Sequence, residues 1–334
     1  MALPILTKTW NFNVNQTFTS PDQISSVRNL YFNIKQSLKN SGGWQVVASS
    51  NGSVANTNDN WTSTSSLNWS GGGPRSWIIL KHPTNNSQFL MDLINSGAGW
   101  ASLASYYSRN GWNVSGALST SSLPSPIDTG DSNTIFSNGN YVFDNTTFNF
   151  ALHYMYSTDG YCHRIIVYSS DIPIFCIILD TPETSYNASW APTSPQPSTA
   201  MVIHPVFPTY GIVNVMTLAN FYTNSYMKTR VGPVGSTAAQ NISLYLSAES
   251  YNTTLLTNGL QIPNDFTSEY PMLETGLAST TAPYVGKIGK LSDLWFGVTN
   301  FTGSPTYPND NTRQFVQHGI LITPWNGSVM LTRA

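Results

Sequence analysis

The chain has 334 residues, of which 9% are charged, with 14 Lys plus Arg against 16 Asp plus Glu and a formal net charge of −2. An ordinary globular domain carries roughly 25% charged residues, so the polar surface here falls to Asn, Ser, Thr and Gly. No cationic cluster is present to bind phosphates, which argues against nucleic acid as a partner, and no stretch of 18 apolar residues is present for membrane insertion.

The opening "MALPILTKTWNFNVNQ" lacks a basic leader, a long apolar segment and a small-residue cleavage site, so it does not read as a secretory signal. Asn-x-Ser/Thr triplets such as those at Asn60 and Asn326 then follow from the abundance of these residues and not from glycosylation. The first regular element is a helix over about 21–40. Ser20 is placed to cap it, Pro21 to start it and Gln23 to complete a capping box. Ile24, Val27, Leu30, Tyr31, Ile34 and Leu38 recur at helical spacing, and Gly42 and Gly43 end it. Little positive charge lies on its polar face, so it reads as an amphipathic helix lying over a sheet and not as a membrane-surface helix.

Short β-type runs separated by Gly, Asn, Ser and Pro follow: "WQVVASS" (44–50), "SWIILKHP" (76–83), "FLMDLIN" (89–95), then "NYVFD", "FNFALHYMYS", "YCHRIIVYSS" and "IPIFCIILD" between 140 and 180. This pattern predicts a mainly β chain of antiparallel sandwich or jelly-roll-like units with one N-terminal helix. "SGGGPRSW" (70–77) lacks the Lys-Ser/Thr of a phosphate loop and reads as the loop feeding the next strand.

Residues 153–164, "HYMYSTDGYCHR", gather more reactive side chains than any other stretch. Asp159-Gly160 predicts a two-residue type I′ turn, pairing Ser157 with Cys162, Tyr156 with His163 and His153 with Ile166. Alternation then sends His163 to the opposite face from Cys162 and His153, and His153 lies about 13 Å along the strand from Cys162. One zinc ion could not reach all three, and a Cys162-His163 nucleophile pair could not form. The stretch reads as the tip of a core hairpin apolar on both faces, in which Cys162→Ser or His163→Ala loosens packing and abolishes no chemistry. Asp180 and Glu183 read as a solvated strand end and not as a glycosidase pair. No G-x-S-x-G, G-x-G-x-x-G or H-E-x-x-H motif occurs, so no catalytic, cofactor-binding or metal residue is assigned and no cofactor is expected.

Cys162 and Cys176 are the two cysteines. They exclude a disulfide-rich scaffold and read as reduced, buried thiols of a protein made in a cytoplasm. Residues 183–200 carry Pro192, Pro195 and Pro197 among Ser, Thr and Ala, and read as a crossing between an N-terminal β-rich domain (1–182) and a C-terminal one (201–334). In the second domain "NISLYLSAESY" (241–251) and "GKLSDLWFGVTN" (289–300) read as strands, and "YGIVNVMTLANFY" (210–222) is too uniformly apolar to assign.

The segments "TKTWNFNVNQ", "GWQVVASSNG" with "SWIILKHP", "HYMYSTDGYCHRIIVYS", "GKIGKLSDLWFG" and "YPNDNTRQFVQHGILITPWNGS" span nearly the whole chain. Together they resemble a group of bacteriophage virion structural proteins. The resemblance implies a building block of the head surface, the head-tail connection or the tail. Such a block is made in the host cytoplasm, packs against copies of itself and other virion proteins, and is not an enzyme. In the closing block Asn326-Gly327 reads as a turn, Trp325 as a packing anchor, and the tail "SVMLTRA" as an arm reaching a neighbouring subunit. A second reading is a tail module that attaches the virion to a host surface glycan. Trp61, Trp69, Trp100 and Trp112, set in polar stretches, would then stack on sugar, against the alternative that they anchor loops to the sandwich.

Overall fold

The computed structural model describes residues 8–20, 23–67, 75–84, 87–95, 101–108, 111–120, 122–127, 132–139, 142–143, 148–169 and 172–180, with eight further strands between 201 and 333. In chain order the first strands are β1 (Trp10–Ser20), β2 (Gln45–Asn51), β3 (Ala55–Asn56), β4 (Ser76–Lys81), β5 (Gln88–Asn95), β6 (Ala101–Ser108) and β7 (Trp112–Asn113). Next come β8 (Ser125–Pro126), β9 (Ser132–Gly139), β10 (Val142–Phe143), β11 (Phe148–Ser157), β12 (His163–Ser169), β13 (Ile172–Ile178) and β14 (Met201–Ile203). The last are β15 (Ile212–Val213), β16 (Met227–Val231), β17 (Gln240–Ala248), β18 (Met272–Ser279), β19 (Gly286–Gly297), β20 (Phe315–Gln317) and β21 (Val329–Arg333). Two α-helices are described, α1 (Gln23–Gln36) and the short α2 (Ser115–Thr120).

The described chain is thus mainly β, and its strand pairs are antiparallel. One sheet runs β1-β11-β12-β13-β14 and a second runs β3-β2-β4-β5-β6-β9. A third, β16-β17-β18-β19-β21-β20, is made wholly from residues 227–333. The crossing at 183–200 lies outside the described residues, and β14 immediately after it returns to the edge of the first sheet beside β13. "YGIVNVMTLANFY" lies outside them too, apart from β15.

Helix α1 forms where the apolar spacing predicts it. Leu30, Tyr31, Ile34 and Leu38 are fully buried, and the helix widens into a single π-helical turn, Ser37–Ser41, before it stops. Gly42 N–H donates to the Ser37 carbonyl (3.1 Å), and Trp44 N–H donates to that of Leu38 (3.1 Å). Gly43 takes φ +73°, a left-handed conformation that a side chain disfavours. Gly42 is required for a different reason: a Cβ there would fall 1.8 Å from the Tyr154 hydroxyl and 2.9 Å from the Leu38 carbonyl.

Strand alternation in β4 and β5 divides the second sheet's side chains between two apolar clusters. Ile78, Leu80, Phe89, Met91 and Leu93 enter one core with the helix residues above. The first sheet contributes Leu152, Tyr154, Ile165, Ile177 and Leu179 to that same core. Helix α1 therefore shares one core with two sheets, where the sequence suggested a helix over one. Trp77, Ile79 and Leu90 belong to the other cluster, with Trp112 and Ala117 from the β7–α2 segment. Both faces of β4 are consequently covered, which explains its unbroken apolar run.

Two features differ from the sequence reading. The tail "SVMLTRA" is not a free arm, because β21 lies between β19 and β20 and pairs Trp295 with Leu331 and Phe315 with Arg333. Strands β1 and β6 occupy stretches that polar composition did not mark as strands. Glu183, Trp325 and the Asn326-Gly327 turn lie outside the described residues. Among the described residues no helix is long and apolar enough to cross a membrane.

Candidate functional site

The hairpin β11–β12 has the predicted register, with Tyr156 opposite His163 and His153 opposite Ile166. Its turn differs. Gly160 N–H donates to the Ser157 carbonyl (2.9 Å), which centres the tight turn on Thr158 and Asp159. Gly160 follows with φ +73°, and Ser157 N–H donates to the Cys162 carbonyl (2.9 Å). The loop is four residues long and closes on the same register as the two-residue alternative. Asp159 organises it by accepting from the Ser157 hydroxyl (2.6 Å), the Tyr161 N–H (3.1 Å) and Lys8 Nζ (2.6 Å). Burial opposes ionisation of Asp159, but these bonds outweigh it and hold the carboxyl below its ordinary range.

His163, which opens β12, is fully buried. Its Nε2 lies 2.9 Å from the Gly160 carbonyl, which can only accept, so Nε2 carries the proton. Nδ1 then accepts from the Tyr154 hydroxyl at 2.7 Å. His82, just beyond β4, lies with its ring centroid 5.0 Å from that of His163 and nearly perpendicular to it. Trp44 meets both rings edge-on, at 4.8 and 5.3 Å. Thr84 N–H donates to His82 Nδ1 (3.2 Å), which places the His82 proton on Nε2. That Nε2 is buried and makes no hydrogen bond among the described residues. The Leu179 carbonyl nevertheless lies within electrostatic reach. Burial lowers His163 to about 4, and burial with the neighbouring His163 lowers His82 to about 3, so both rings are neutral at physiological pH.

Cys162, the residue before His163, is buried, and burial, reinforced by Asp180, pushes its thiol well above the ordinary range. A protonated, buried thiol is neither a nucleophile nor a metal ligand. Among the described residues no three His, Cys, Asp or Glu side chains are placed to hold a metal. The side chain of Cys176 lies outside the described residues; its backbone pairs with Ile166 and Ile203.

Asp180 is not the solvated strand end expected from sequence. It is 1% exposed, and its Oδ2 accepts from Arg164 Nη2 (2.6 Å) and Nε (3.1 Å), while Oδ1 accepts from the His163 N–H (3.0 Å). Arg164 in turn stacks over the Trp10 ring at 4.5 Å. Burial pushes the Asp180 carboxyl up, and the Arg164 charge with these hydrogen bonds opposes that rise. The signal available in the sequence was Arg164 itself: a cation within an apolar strand covered on both faces requires a partner.

Trp61 and Trp112 are placed as buried packing anchors and not as a sugar platform. Trp61 is fully buried, donates Nε1–H to the Ser50 carbonyl (2.9 Å) and stacks with Tyr31 at 6.2 Å between ring centres. Trp112 is 6% exposed, within the second core cluster. Neither presents a ring face that a sugar could cover. Trp69 and Trp100 lie outside the described residues.

Comparison of the chain with protein-family models, with curated proteins and with solved structures finds no match.

Proposed function

We propose that the chain is a structural protein of a bacteriophage virion, made in the host cytoplasm and built from antiparallel β-sandwich or jelly-roll-like units. It acts through assembly contacts with its own copies and with other virion proteins, in the head surface, the head-tail connection or the tail, and carries out no catalytic step.

The observation that carries this reading is where the few charges sit. Lys35 and Lys39 both bond Asp59, Arg75 bonds Asp92, Lys8 bonds Asp159 and Arg164 bonds Asp180. These cations are engaged in intramolecular pairs, Lys39 and Arg75 at exposed positions, and many other exposed positions carry short neutral side chains such as Asn40, Ser53, Thr57, Asn58, Thr62 and Ser65. A neutral hydroxyl- and amide-rich surface has little electrostatic repulsion to overcome when many copies pack together. The resemblance of the hairpin and closing segments to virion structural proteins supports the same reading.

Mass spectrometry of gradient-purified particles is the test. The chain is expected at a fixed copy number of many per particle, and cryo-electron microscopy then gives its place and symmetry. Its absence from intact particles overturns the reading.

A further inference from the structure

The two buried imidazoles stand where three segments meet: the segment after β4 (His82, Pro83, Thr84), the segment after α1 (Gly42, Gly43, Trp44) and the hairpin tip. We propose that His82 and His163 form an acid-operated latch, which holds the tip Ser157–Cys162 against His82–Thr84 and releases it when either ring takes up a proton.

The hydrogen bonds fix the direction of the response. His82 Nδ1 accepts from the Thr84 backbone N–H, a donor that cannot reverse its role. Protonation at Nδ1 sets donor against donor at the Thr84 N–H, which loses its acceptor, and leaves the Thr84 hydroxyl as the one group there that can turn to accept from the ring. The Thr84 hydroxyl lies 3.1 Å from the same Nδ1 and 3.4 Å from the Gly160 carbonyl. The Thr84 methyl would meet a Cβ on Gly160 at 3.0 Å, so the two segments are in close contact at the tip. Protonation of His163 at Nδ1 likewise displaces the proton that Tyr154 donates to it. A charge on one ring lies about 5 Å from the other, which further disfavours the packed arrangement.

Among the described residues each neighbouring carboxylate is already engaged, and the Asp159 charge offsets only part of the burial that opposes a charged His163. From the tip, Asp159 is bonded to Lys8, Ser157 and Tyr161. From the end of β13, Asp180 is bonded to Arg164 and the His163 N–H. Among the described residues Tyr154 and Tyr156 stack on the His163 ring and Cys162 precedes it in the chain; burial raises Tyr154 and Cys162, which stay protonated. The Arg164–Asp180 pair and the β11–β12 ladder lie below the tip and do not depend on either ring's proton, so the sheet is retained when the tip lifts.

Hydrogen exchange followed by mass spectrometry from pH 7 to 4, corrected for intrinsic exchange, tests the latch. Protection of 157–163 is expected to fall about tenfold per pH unit for each proton taken up below pH 6, while peptides in α1, β4 and β5 keep theirs. A His82→Phe/His163→Phe double variant keeps the aromatic packing and should lose the acid response. The latch is overturned if a folded double variant retains that response, or if the tip opens only together with α1, β4 and β5. Should the double variant not fold, nuclear magnetic resonance of the wild-type imidazoles decides: rings still neutral while the tip has opened overturn the proposal, and protonation that tracks tip opening supports it.

Discussion

Arg164 and Asp180 meet at 2.6 Å with neither side chain reaching solvent. The pair ties the first residues of β12 to the segment just beyond β13, next to the Leu179 N–H bond to the His163 carbonyl (2.8 Å). Removing two charges from water is costly, and their attraction in a dry interior roughly offsets that cost. The pair should therefore reveal itself by asymmetry. Asp180→Asn or Arg164→Met alone leaves an uncompensated buried group and is expected to lower stability by about 3–5 kcal/mol. Arg164→Met with Asp180→Leu should recover most of that loss in urea denaturation. A double variant as unstable as the sum of the singles would contradict this account.

Gly42 is fixed by contact and not by backbone angle, since the Tyr154 hydroxyl occupies the place of its missing side chain. Gly42→Ala should cost about 1–3 kcal/mol through overpacking. Tyr154→Phe removes the obstructing oxygen but leaves His163 Nδ1 without its donor, a loss of about 1–3 kcal/mol. Because both changes act on the same oxygen, the double variant should be less destabilised than the sum. Additive effects in thermal melts would argue against the contact.

Legibility in the sequence followed hydrophobic contrast. The helix over Gln23–Gln36 was readable because its apolar positions repeat at helical spacing, and β4 and β5 because each is a short, nearly continuous apolar run bounded by polar and turn residues, as a strand covered on both faces requires. Strands β1 (WNFNVNQTFTS) and β6 (ASLASYYS) were not, because Asn, Ser and Thr dilute the alternation although the backbone ladder forms regardless of side chain. The hairpin register survived a wrong turn type, since four-residue and two-residue loops about the same centre give the same pairing. The His82–His163 contact joins residues 81 positions apart, and no local pattern encodes that.

Cys162 offers a probe of the same region. Its burial and protonated thiol predict that native protein at pH 8 resists iodoacetamide at this residue, and that labelling appears with unfolding. Peptide mapping distinguishes it from Cys176. Rapid stoichiometric labelling of Cys162 in folded protein would show a more open tip than the structure has.

Trp61 fills the core between α1 and the β3–β4 segment, so Trp61→Ala should cost about 3–5 kcal/mol by leaving a cavity. Trp112→Ala removes a second buried ring on the other face of the sheet. Both losses should appear in denaturation curves and not as a selective change on a glycan array. A folded Trp61→Ala variant of wild-type stability that had lost glycan binding would reverse this conclusion.

Asp92 sets the last expectation. It sits in β5 opposite Trp77, fully buried, with Oδ2 held 3.3 Å from Arg75 and Oδ1 without a hydrogen bond among the described residues. Burial raises its carboxyl to about 7, and Arg75 only partly counters that. Between the unfolded value near 3.8 and the folded value near 7, the folded state binds the extra proton. This group's stabilisation is therefore fully present below about pH 4 and fades as pH rises through 7, by at most about 1.4 kcal/mol per pH unit. The two histidines act oppositely, since their folded values lie below the unfolded one and acid weakens the fold through them. Asp92→Asn cannot ionise, so its lead over wild type should be near zero at about pH 3.5 and greatest above pH 7. Denaturation midpoints at the two pH values measure the difference, and an unchanged gap between variant and wild type would mean that Asp92 stays ionised across the range.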